Sequence, residues 1–267
     1  MNDIFIISLK KDESRRGHVT AQFQHEKIPY EVVNAIYGKE LPNETIKKFY
    51  LDTLAKEKLG RSLTVGEIGC TLSHIKCYQK IIDNNLPGAF IFEDDIMLNK
   101  HTAHAIETVR QIKKLDNNSV VLMTHIDYYS EWGKIKLTNS HNIHPINYQH
   151  ILKYASRTHG YYITQKAAQN LLKELITIYQ PIDIWSYYVE QNLIKLYSVV
   201  PYIVGLSSHA EESNLELERK ESTLPEKSTK LLLPTLLKLA KKYLYQKFAY
   251  QISIKQILRI KKQKSFW

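Results

Sequence analysis

The sequence predicts an α/β fold built on an open sheet, and three consecutive segments support this prediction. The run from Asp3 to Leu9 is rich in β-branched and aromatic residues, as expected of a buried strand. A helical segment follows, with Val19 and Phe23 on one face, and a second strand is predicted from Ile28 to Val33. Strand, helix and strand in this order are typical of the first layer of a Rossmann-like fold.

The rest of the chain continues this alternation of helices and strands. An apolar-faced helix is predicted from Thr64 to Ile82, and a central strand from Phe90 to Phe92. Further helices are predicted at 41–59, 102–115, 165–178 and 184–193, and further strands at 119–123, 160–164 and 196–204. The segment 127–149 is expected to be irregular and to run over the surface.

The composition is typical of a globular protein with reduced cysteines. The 267 residues are 43% apolar and 24% charged, which suits one large domain with an appendage. Cys70 and Cys77 lie on one predicted helix with Cα atoms roughly 10 Å apart, too far for a disulfide. The chain shows neither a basic leader nor an apolar span of ~18 residues. We therefore expect a cytoplasmic protein, without structural zinc because no Cys-x₂-Cys spacing occurs.

The net charge of +10 belongs to the last part of the chain. Residues 226–267 hold eleven Lys and Arg and one acidic residue, whereas residues 1–225 hold 26 of each kind. This distribution argues against a nucleic-acid groove across the protein. From Leu231 to Ile260, apolar side chains follow helical spacing between the lysines. We expect one domain over 1–225 and, over 226–267, a basic amphipathic helical tail that binds an anionic membrane surface; a domain-packing helix is the alternative.

Three adjacent acids, Glu93, Asp94 and Asp95, directly follow the predicted strand Phe90–Phe92. They stand at the carboxyl end of a strand, where α/β sheets bind ligands. Adjacent carboxylates repel one another, and a divalent cation relieves this repulsion; oxygen ligands suit Mg²⁺ or Mn²⁺. Apolar character resumes at Ile96, so the acids lie at a buried edge that needs a counter-ion. The cluster predicts a metal site for handling phosphates, with a solvated turn as the alternative.

The motifs around this cluster resemble those of glycosyltransferase family 25. In the family's order they are Ser8-Leu9-Lys10 with Arg15-Arg16, Asn34-Ala35-x-x-Gly38, LTVGEIGCTLSH from Leu63, FIFEDDI from Phe90, and GYYITQKAAQNLL followed by Pro181-Ile182-Asp183. The resemblance covers about residues 1–210 and implies a GT-A type, Rossmann-like glycosyltransferase domain. That family holds bacterial lipooligosaccharide galactosyl- and glucosyltransferases, and collagen galactosyltransferases are related to them.

The resemblance implies a UDP-sugar-dependent hexosyltransferase that inverts the anomeric centre. It would move galactose, or as an alternative glucose, to a hydroxyl of a lipooligosaccharide core sugar. Mn²⁺ or Mg²⁺ would grip the donor diphosphate, with Asp95, Glu93 and His209 as ligands; a surface-loop histidine is the alternative for His209. A lipid-linked acceptor would place the protein on the cytoplasmic face of the bacterial inner membrane. A non-catalytic membrane-associated scaffold is the alternative function, and no nucleic acid is expected as a partner.

The resemblance also implies which residues contact the UDP-sugar. They are Ser8, Arg16, Ala35, Gly38, Gly66, Glu67, Cys70, Ser73, Glu93 and Asp94. Gly38 would let a uracil ring approach the backbone, and the glycines at the start of the helix would leave room for a base or ribose. An ordinary turn is the alternative for the Gly38 loop, and an acid that complements the helix dipole is the alternative for Glu67. Arg15 is equally well explained as a solvated helix residue.

Asp183 is the residue predicted for catalysis. An inverting transferase needs a general base to deprotonate the acceptor hydroxyl. The resemblance places a carboxylate for this role at the start of a helix, and an N-cap is the alternative for Asp183. His74 is expected to be a hydrogen-bonded structural histidine, whereas His125 and His159 show no ligand-like spacing; His125 is a candidate for the acceptor side.

Overall fold

The computed structural model describes residues 2–146, 152, 155–207 and 260–262 of the chain. Its strands are β1 (Ile4–Ser8), β2 (Glu31–Asn34), β3 (Gly88–Glu93), β4 (Ile96–Leu98), β5 (Ser119–Leu122), β6 (Tyr128–Ser130), β7 (Ile135–Lys136), β8 (Asn142–Pro145), β9 (Gly160–Thr164), β10 (Lys195–Val200), β11 (Val204–Leu206) and β12 (Ile260–Lys262). Its helices are α1 (Glu13–His25), α2 (Asn43–Phe49), α3 (Asp52–Leu59), α4 (Val65–Asp83), α5 (Thr102–Gln111), α6 (Gln165–Glu174) and α7 (Trp185–Glu190), with a 3-10 turn at Gly38–Glu40.

Eight strands form a central mixed sheet in the order β2-β1-β3-β9-β5-β10-β8-β7. β1 runs parallel to β2 and β3, and β5 runs parallel to β10. β9 lies between β3 and β5 and is antiparallel to both, with Gly160 paired to Phe92. The predicted α/β class is confirmed, although the sheet is not purely parallel. Because β9 runs in reverse, the residues that precede it lie at the carboxyl ends of β3 and β5.

Helices cover both faces of the sheet and bury alternate side chains of its strands. Phe5 and Ile91 lie in an apolar cluster with Tyr78 of α4. Phe92 lies in a second cluster on the other face, where its ring centroid is 5.3 Å from that of Phe23 in α1. This alternation follows from the two-residue period of a strand. The two apolar layers fix the strand ends from which the polar residues of the site project.

Helix α4 begins with a capping box that fixes its N-terminus. The Thr64 hydroxyl accepts a hydrogen bond from the Glu67 amide (3.1 Å), and the Glu67 carboxylate accepts one from the Thr64 amide (2.9 Å). Arg61 donates two further hydrogen bonds of 2.8 Å to the same buried carboxylate. This pairing satisfies orphan amides of the first turn and complements the helix dipole. The apolar-faced helix predicted for this segment is confirmed.

Two glycines allow the loop after β2 to lie directly against the start of α4. A Cβ on Gly38 would overlap the carbonyl oxygen of Val65, and a Cβ on Gly69 would lie 2.6 Å from the carbonyl oxygen of Ile36. The Ser73 hydroxyl accepts a hydrogen bond of 2.8 Å from the Ile36 amide in the same contact. The missing side chains at Gly38 and Gly69 therefore make room for the protein's own backbone. The expected approach of a uracil ring at Gly38, and the expected room for a base or ribose beside Gly66 and Gly69, stay predictions.

The polar helix predicted over 41–59 is two helices, α2 and α3. Between them, the Leu51 amide donates to the Ile178 carbonyl and the Ile178 amide donates to the Phe49 carbonyl. These two bonds hold Tyr50 in an extended conformation, which ends α2. A partner more than 100 residues away thus interrupts a segment whose local pattern is helical.

Two other predictions differ from the structure. The segment 127–149, expected to be irregular, contains three short strands, and β8 pairs with β10 in the main sheet. The last strand, predicted over 196–204, is divided into β10 and β11 around Pro201, which has no amide hydrogen to donate to a ladder. Pairing with a distant strand decides the first case, and a proline within the segment decides the second.

Almost all of the predicted basic tail, 226–267, lies outside the described residues. Ile260, the last residue of its expected helical pattern, instead begins β12, which pairs antiparallel with β6. The division into a domain over 1–225 and a membrane-associating tail stays a prediction. In the part of the chain that the structure describes, no helix is both long enough and apolar enough to cross a membrane.

We expect Gly38→Ala to lower the free energy of unfolding by about 2 kcal/mol or more, because the added methyl group overlaps backbone that cannot move without disturbing the start of α4. Urea unfolding followed by circular dichroism measures this loss. Gly17→Ala is the matched control: its Cβ meets nothing within 4 Å on the exposed face of α1, so this change should stabilise the protein by about 0.5–1 kcal/mol. Equal urea midpoints for the Gly38→Ala variant and the unchanged protein would contradict the close contact between the Gly38 loop and the start of α4.

Candidate active site

A cleft of about 450 Å³ opens at the carboxyl ends of β1, β2 and β3, within the usual range for small-molecule sites. It brings together most of the residues that the sequence predicts for the site. Those that line it are Ser8, Ala35, Gly38, Gly66, Glu67, Cys70, Ser73, Glu93, Asp94, Asp95 and Asp183. It is also lined by residues that were not predicted for the site, among them Asp12, Arg15, Tyr37, His74, Arg157, Thr158 and His159.

The three acids lie close together beneath this cleft. Glu93 ends β3, and Asp94 and Asp95 form the turn to β4, where both aspartates are buried. Arg15 of α1 reaches the turn: its Nη2 lies 2.6 Å from Asp94 Oδ1 and 3.3 Å from Asp95 Oδ2. Burial raises the pKa of Asp94 above its usual range, and the opposing effect of Arg15 is smaller. The expected burial of this edge is confirmed. The cation that the structure places against the aspartates is Arg15, and the divalent metal predicted as counter-ion stays a prediction.

A second group of donors reaches the acids from the residues that precede β9. His159 Nδ1 lies 3.0 Å from Asp95 Oδ1 and 3.6 Å from Glu93 Oε2. The Thr158 hydroxyl donates a hydrogen bond of 2.5 Å to Glu93 Oε1. Burial lowers the pKa of His159, but Glu93 and Asp95 outweigh burial and raise it to about 9. His159 is therefore an imidazolium at neutral pH and a second internal cation of the cluster.

His159 was not predicted, and the reason is the direction of β9. Residues that precede a parallel strand would lie at the opposite edge of the sheet, whereas antiparallel β9 brings them beside Glu93. The backbone confirms this position, because the Glu93 amide donates to the His159 carbonyl at 2.9 Å. No spacing within the sequence carries this information.

Three side chains of the cluster suit a divalent cation. Glu93, Asp95 and His159 each offer one ligand atom, and these atoms lie within 4.8 Å of one another. Two carboxylates with one imidazole form an acceptable set for Mn²⁺, and the carboxylates also suit Mg²⁺. His159 would have to release its proton before it could bind a metal. The third predicted ligand, His209, lies outside the described residues.

His74 is buried beside the cluster and linked to two tyrosines. Its Nδ1 lies 2.7 Å from the Tyr161 hydroxyl, which lies 2.9 Å from the Tyr78 hydroxyl. Its Nε2 faces Glu93 Oε1 at 3.5 Å, and with Cys70 these two residues form another group whose ligand atoms lie within 4.8 Å of one another. The expectation of a hydrogen-bonded structural histidine is confirmed, and its ring also lines the cleft.

Arg15, and not Arg16, reaches the cleft from α1. Arg16 donates to the Ser8 carbonyl (2.8 Å) and to the Asn34 side chain (2.9 Å), and so holds the ends of β1 and β2 together. It is not among the residues that line the cleft, so its position does not support the predicted nucleotide contact. Helical spacing alone does not separate the two arginines, because Arg15 stands four residues and Arg16 three residues before buried Val19.

Two predicted donor contacts already have partners in the cleft wall. The Glu67 carboxylate is occupied by the capping box and by Arg61, which favours the alternative that Glu67 serves the start of the helix. The Ser73 hydroxyl donates to the Gly69 carbonyl (2.7 Å) and accepts from the Ile36 amide. Both residues border the cleft, but their polar atoms hold the wall together.

Asp183 lines the same cleft from the segment between α6 and α7. Helix α7 begins at Trp185 with Ile184 at the N-cap position, so Asp183 stands one residue before the cap. Pro181 and Ile182 are buried beside it and also line the cleft, which fixes the backbone that carries the half-buried carboxylate. A carboxylate thus shares one cavity with the acid cluster, as a base beside a metal-bound donor would require.

Comparison with known proteins agrees with this arrangement. The family model described as glycosyltransferase family 25 (LPS biosynthesis protein) matches residues 1–186. A Haemophilus influenzae protein named provisionally as a glycosyltransferase is 33% identical over 185 residues, which cover 67% of this chain and 59% of that protein. The lipooligosaccharide biosynthesis protein lic2B of Haemophilus influenzae is 25% identical over 177 residues, covering 65% of this chain and 64% of the relative.

A eukaryotic relative matches a shorter part of the chain. Procollagen galactosyltransferase 1-A of Xenopus laevis is 32% identical over 111 residues, which cover 40% of this chain and 18% of that protein. The chain therefore spans less than two thirds of the length of each of these three relatives. Because the family model covers most of the chain and includes the acid cluster and Asp183, the chain belongs to glycosyltransferase family 25.

Proposed function

We propose that this protein is a metal-dependent, inverting hexosyltransferase of the GT-A type. It would transfer galactose from UDP-galactose to a hydroxyl of a lipooligosaccharide core sugar. The observation that carries this proposal is that the acid cluster and Asp183 line one cleft at the carboxyl edge of the sheet. Membership of the family supports the reaction class.

The residues that would hold a metal are Glu93, Asp95 and His159, and His209 remains a further candidate from the sequence. When bound, Mn²⁺ or Mg²⁺ would act as a Lewis acid that neutralises the charge of the departing nucleoside diphosphate. Arg15 already stands against Asp94 and Asp95. The positive charge of Arg15 and the charge of a bound metal would therefore compensate the same carboxylates.

Asp183 would act as the general base. As the acceptor oxygen bonds to the anomeric carbon, the bond from that carbon to the diphosphate breaks on the opposite face, and the acceptor proton passes to the carboxylate of Asp183. One displacement of this kind inverts the anomeric configuration. The cavity walls next to Asp183, formed by Pro181 and Ile182, would keep water from competing with the acceptor.

The choice of substrates rests on the relatives. One relative is named for lipooligosaccharide biosynthesis and another as a procollagen galactosyltransferase, which supports galactose as the donor sugar and a lipooligosaccharide acceptor. A glucosyltransferase with the same fold is the alternative. The basic composition of 226–267 supports a peripheral position on the cytoplasmic face of the inner membrane.

We expect Asp183→Asn to keep UDP affinity and to lower the transfer rate by about 10²–10⁴-fold, because the amide cannot accept the acceptor proton. Titration calorimetry with UDP and a sugar-transfer assay measure the two quantities. Glu190→Gln, at the exposed end of α7, is the control and should change neither. Transfer by the Asp183 variant at the unaltered rate would exclude the base role.

We expect Arg15→Gln to tighten Mn²⁺ binding by about tenfold or more in the absence of donor, because the guanidinium competes with the metal for Asp94 and Asp95. Mn²⁺ titration followed by electron paramagnetic resonance measures the affinity. The matched control is Arg16→Gln, since Arg16 contacts Ser8 and Asn34 instead of the acids and should leave the affinity unaltered. Weaker binding by the Arg15 variant would show that Arg15 supports the metal site rather than competing for it.

The basic tail has its own test. A deletion of 226–267 should abolish binding to vesicles that contain anionic lipid and leave UDP-sugar turnover in solution unaltered, because the described cleft contains no residue of the tail. Sedimentation with vesicles measures the first effect. Undiminished vesicle binding after the deletion would remove the tail from the proposal. Vesicle binding without any UDP-sugar turnover by the full chain would favour the non-catalytic scaffold.

A further inference from the structure

Arg157 has an unusual backbone for its position at the cleft. Its φ is +84°, in the left-handed region that side-chain-bearing residues rarely adopt. Among described residues other than glycine, φ is also positive at Lys27, Asn85 and Asn192, and asparagine tolerates this region well. Of these four residues, Arg157 is the one that lines the cleft.

Contacts at the Arg157 carbonyl and at the two residues that follow it hold Arg157 in this conformation. The indole Nε1 of fully buried Trp185 donates a hydrogen bond of 2.9 Å to the Arg157 carbonyl. The next two residues, Thr158 and His159, are bound to the acid cluster. The chain therefore maintains a strained residue directly beside the site, and strain of this kind persists where the surrounding structure enforces it, often for function.

The charge of Arg157 is available to a ligand, whereas the other two arginines near the site are engaged. Arg15 is paired with Asp94 and Asp95, and Arg16 is bonded to the ends of β1 and β2. Within the described ranges, no carboxylate lies within 4 Å of the exposed Arg157 guanidinium. Arg157 lies close enough to His159 to lower its pKa, although the acids dominate that pKa.

We infer that Arg157 binds the diphosphate of the donor and holds it beside the acid cluster. The inference rests on the proposed function for the identity of the ligand. A guanidinium can bridge two phosphate oxygens with paired hydrogen bonds, which suits a diphosphate better than a sugar or a base. The left-handed backbone would direct this side chain to the cleft. The backbone strain and the positive charge of Arg157 would then both contribute to its contact with the diphosphate.

Equilibrium binding with three probes tests the inference: UDP, inorganic pyrophosphate and uridine, each titrated by calorimetry in the presence of Mn²⁺. Arg157→Gln should weaken UDP and pyrophosphate about tenfold to a hundredfold and leave uridine, which lacks phosphate, unaltered. Arg157→Lys should recover part of the loss. Unaltered UDP affinity in Arg157→Gln, or an equal loss for uridine, would overturn the assignment.

The backbone strain at Arg157 can be tested separately, through the thermal stability of variants. Arg157→Gly should show a higher Tm than Arg157→Gln, because glycine accepts a positive φ, while its UDP affinity is equally weak. Lys27→Gly is the matched control: φ is +55° at exposed Lys27, outside the cleft, so the variant should gain Tm and bind UDP normally. Equal Tm for the two Arg157 variants would contradict the strain.

The probes separate this inference from the proposed function. Arg157-dependent binding of pyrophosphate without binding of UDP would support the anion contact and contradict the nucleotide-sugar donor. If the unchanged protein binds neither UDP nor pyrophosphate, both the inference about Arg157 and the proposed function would be overturned. UDP binding that does not depend on Arg157 would overturn the inference alone.

Discussion

The repulsion among three carboxylates at one buried sheet edge is the constraint on which the site depends. Glu93, Asp94 and Asp95 cannot all remain charged there without cations or hydrogen-bond donors close by. Arg15 and His159 supply positive charge, and Thr158 supplies a hydroxyl. The cluster is therefore nearly balanced within the protein itself, and a divalent metal would have to compete with an internal cation. The affinity of the site for a metal therefore depends on the contact between Arg15 and the aspartates.

The topology of the sheet makes this balance possible. Antiparallel β9 between β3 and β5 places Arg157, Thr158 and His159 at the same edge as the acids. The chain then returns through α6, which packs beside α4, and reaches the cleft again at Asp183. The residues that precede this one reversed strand thus form a wall of the cleft. They include a counter-ion for the acids, His159, and the arginine that we assign to the diphosphate.

Local sequence patterns predicted the features that are decided locally. β1, β3 and α4 follow from apolar periodicity and, for α4, from the Thr64 cap, and the acids after β3 were expected at the ligand edge. The direction of β9, the division of the helix at Tyr50 and the strands within 127–149 depend on partners far along the chain, which no window of sequence reveals. Arg15 and Arg16 differ by one helical position, and packing of α1 on the sheet decides which of them meets the acids.

The most direct test of the central claim is UDP release from a panel of UDP-sugars, with lipooligosaccharide acceptor present, measured with Mn²⁺ and again with EDTA. We expect release from UDP-galactose that requires both acceptor and Mn²⁺ and is lost with EDTA. Release from UDP-glucose alone would retain the mechanism and change the sugar. No release from any donor, with the acceptor and Mn²⁺ present, would contradict the assignment of this cleft as a nucleotide-sugar transferase site.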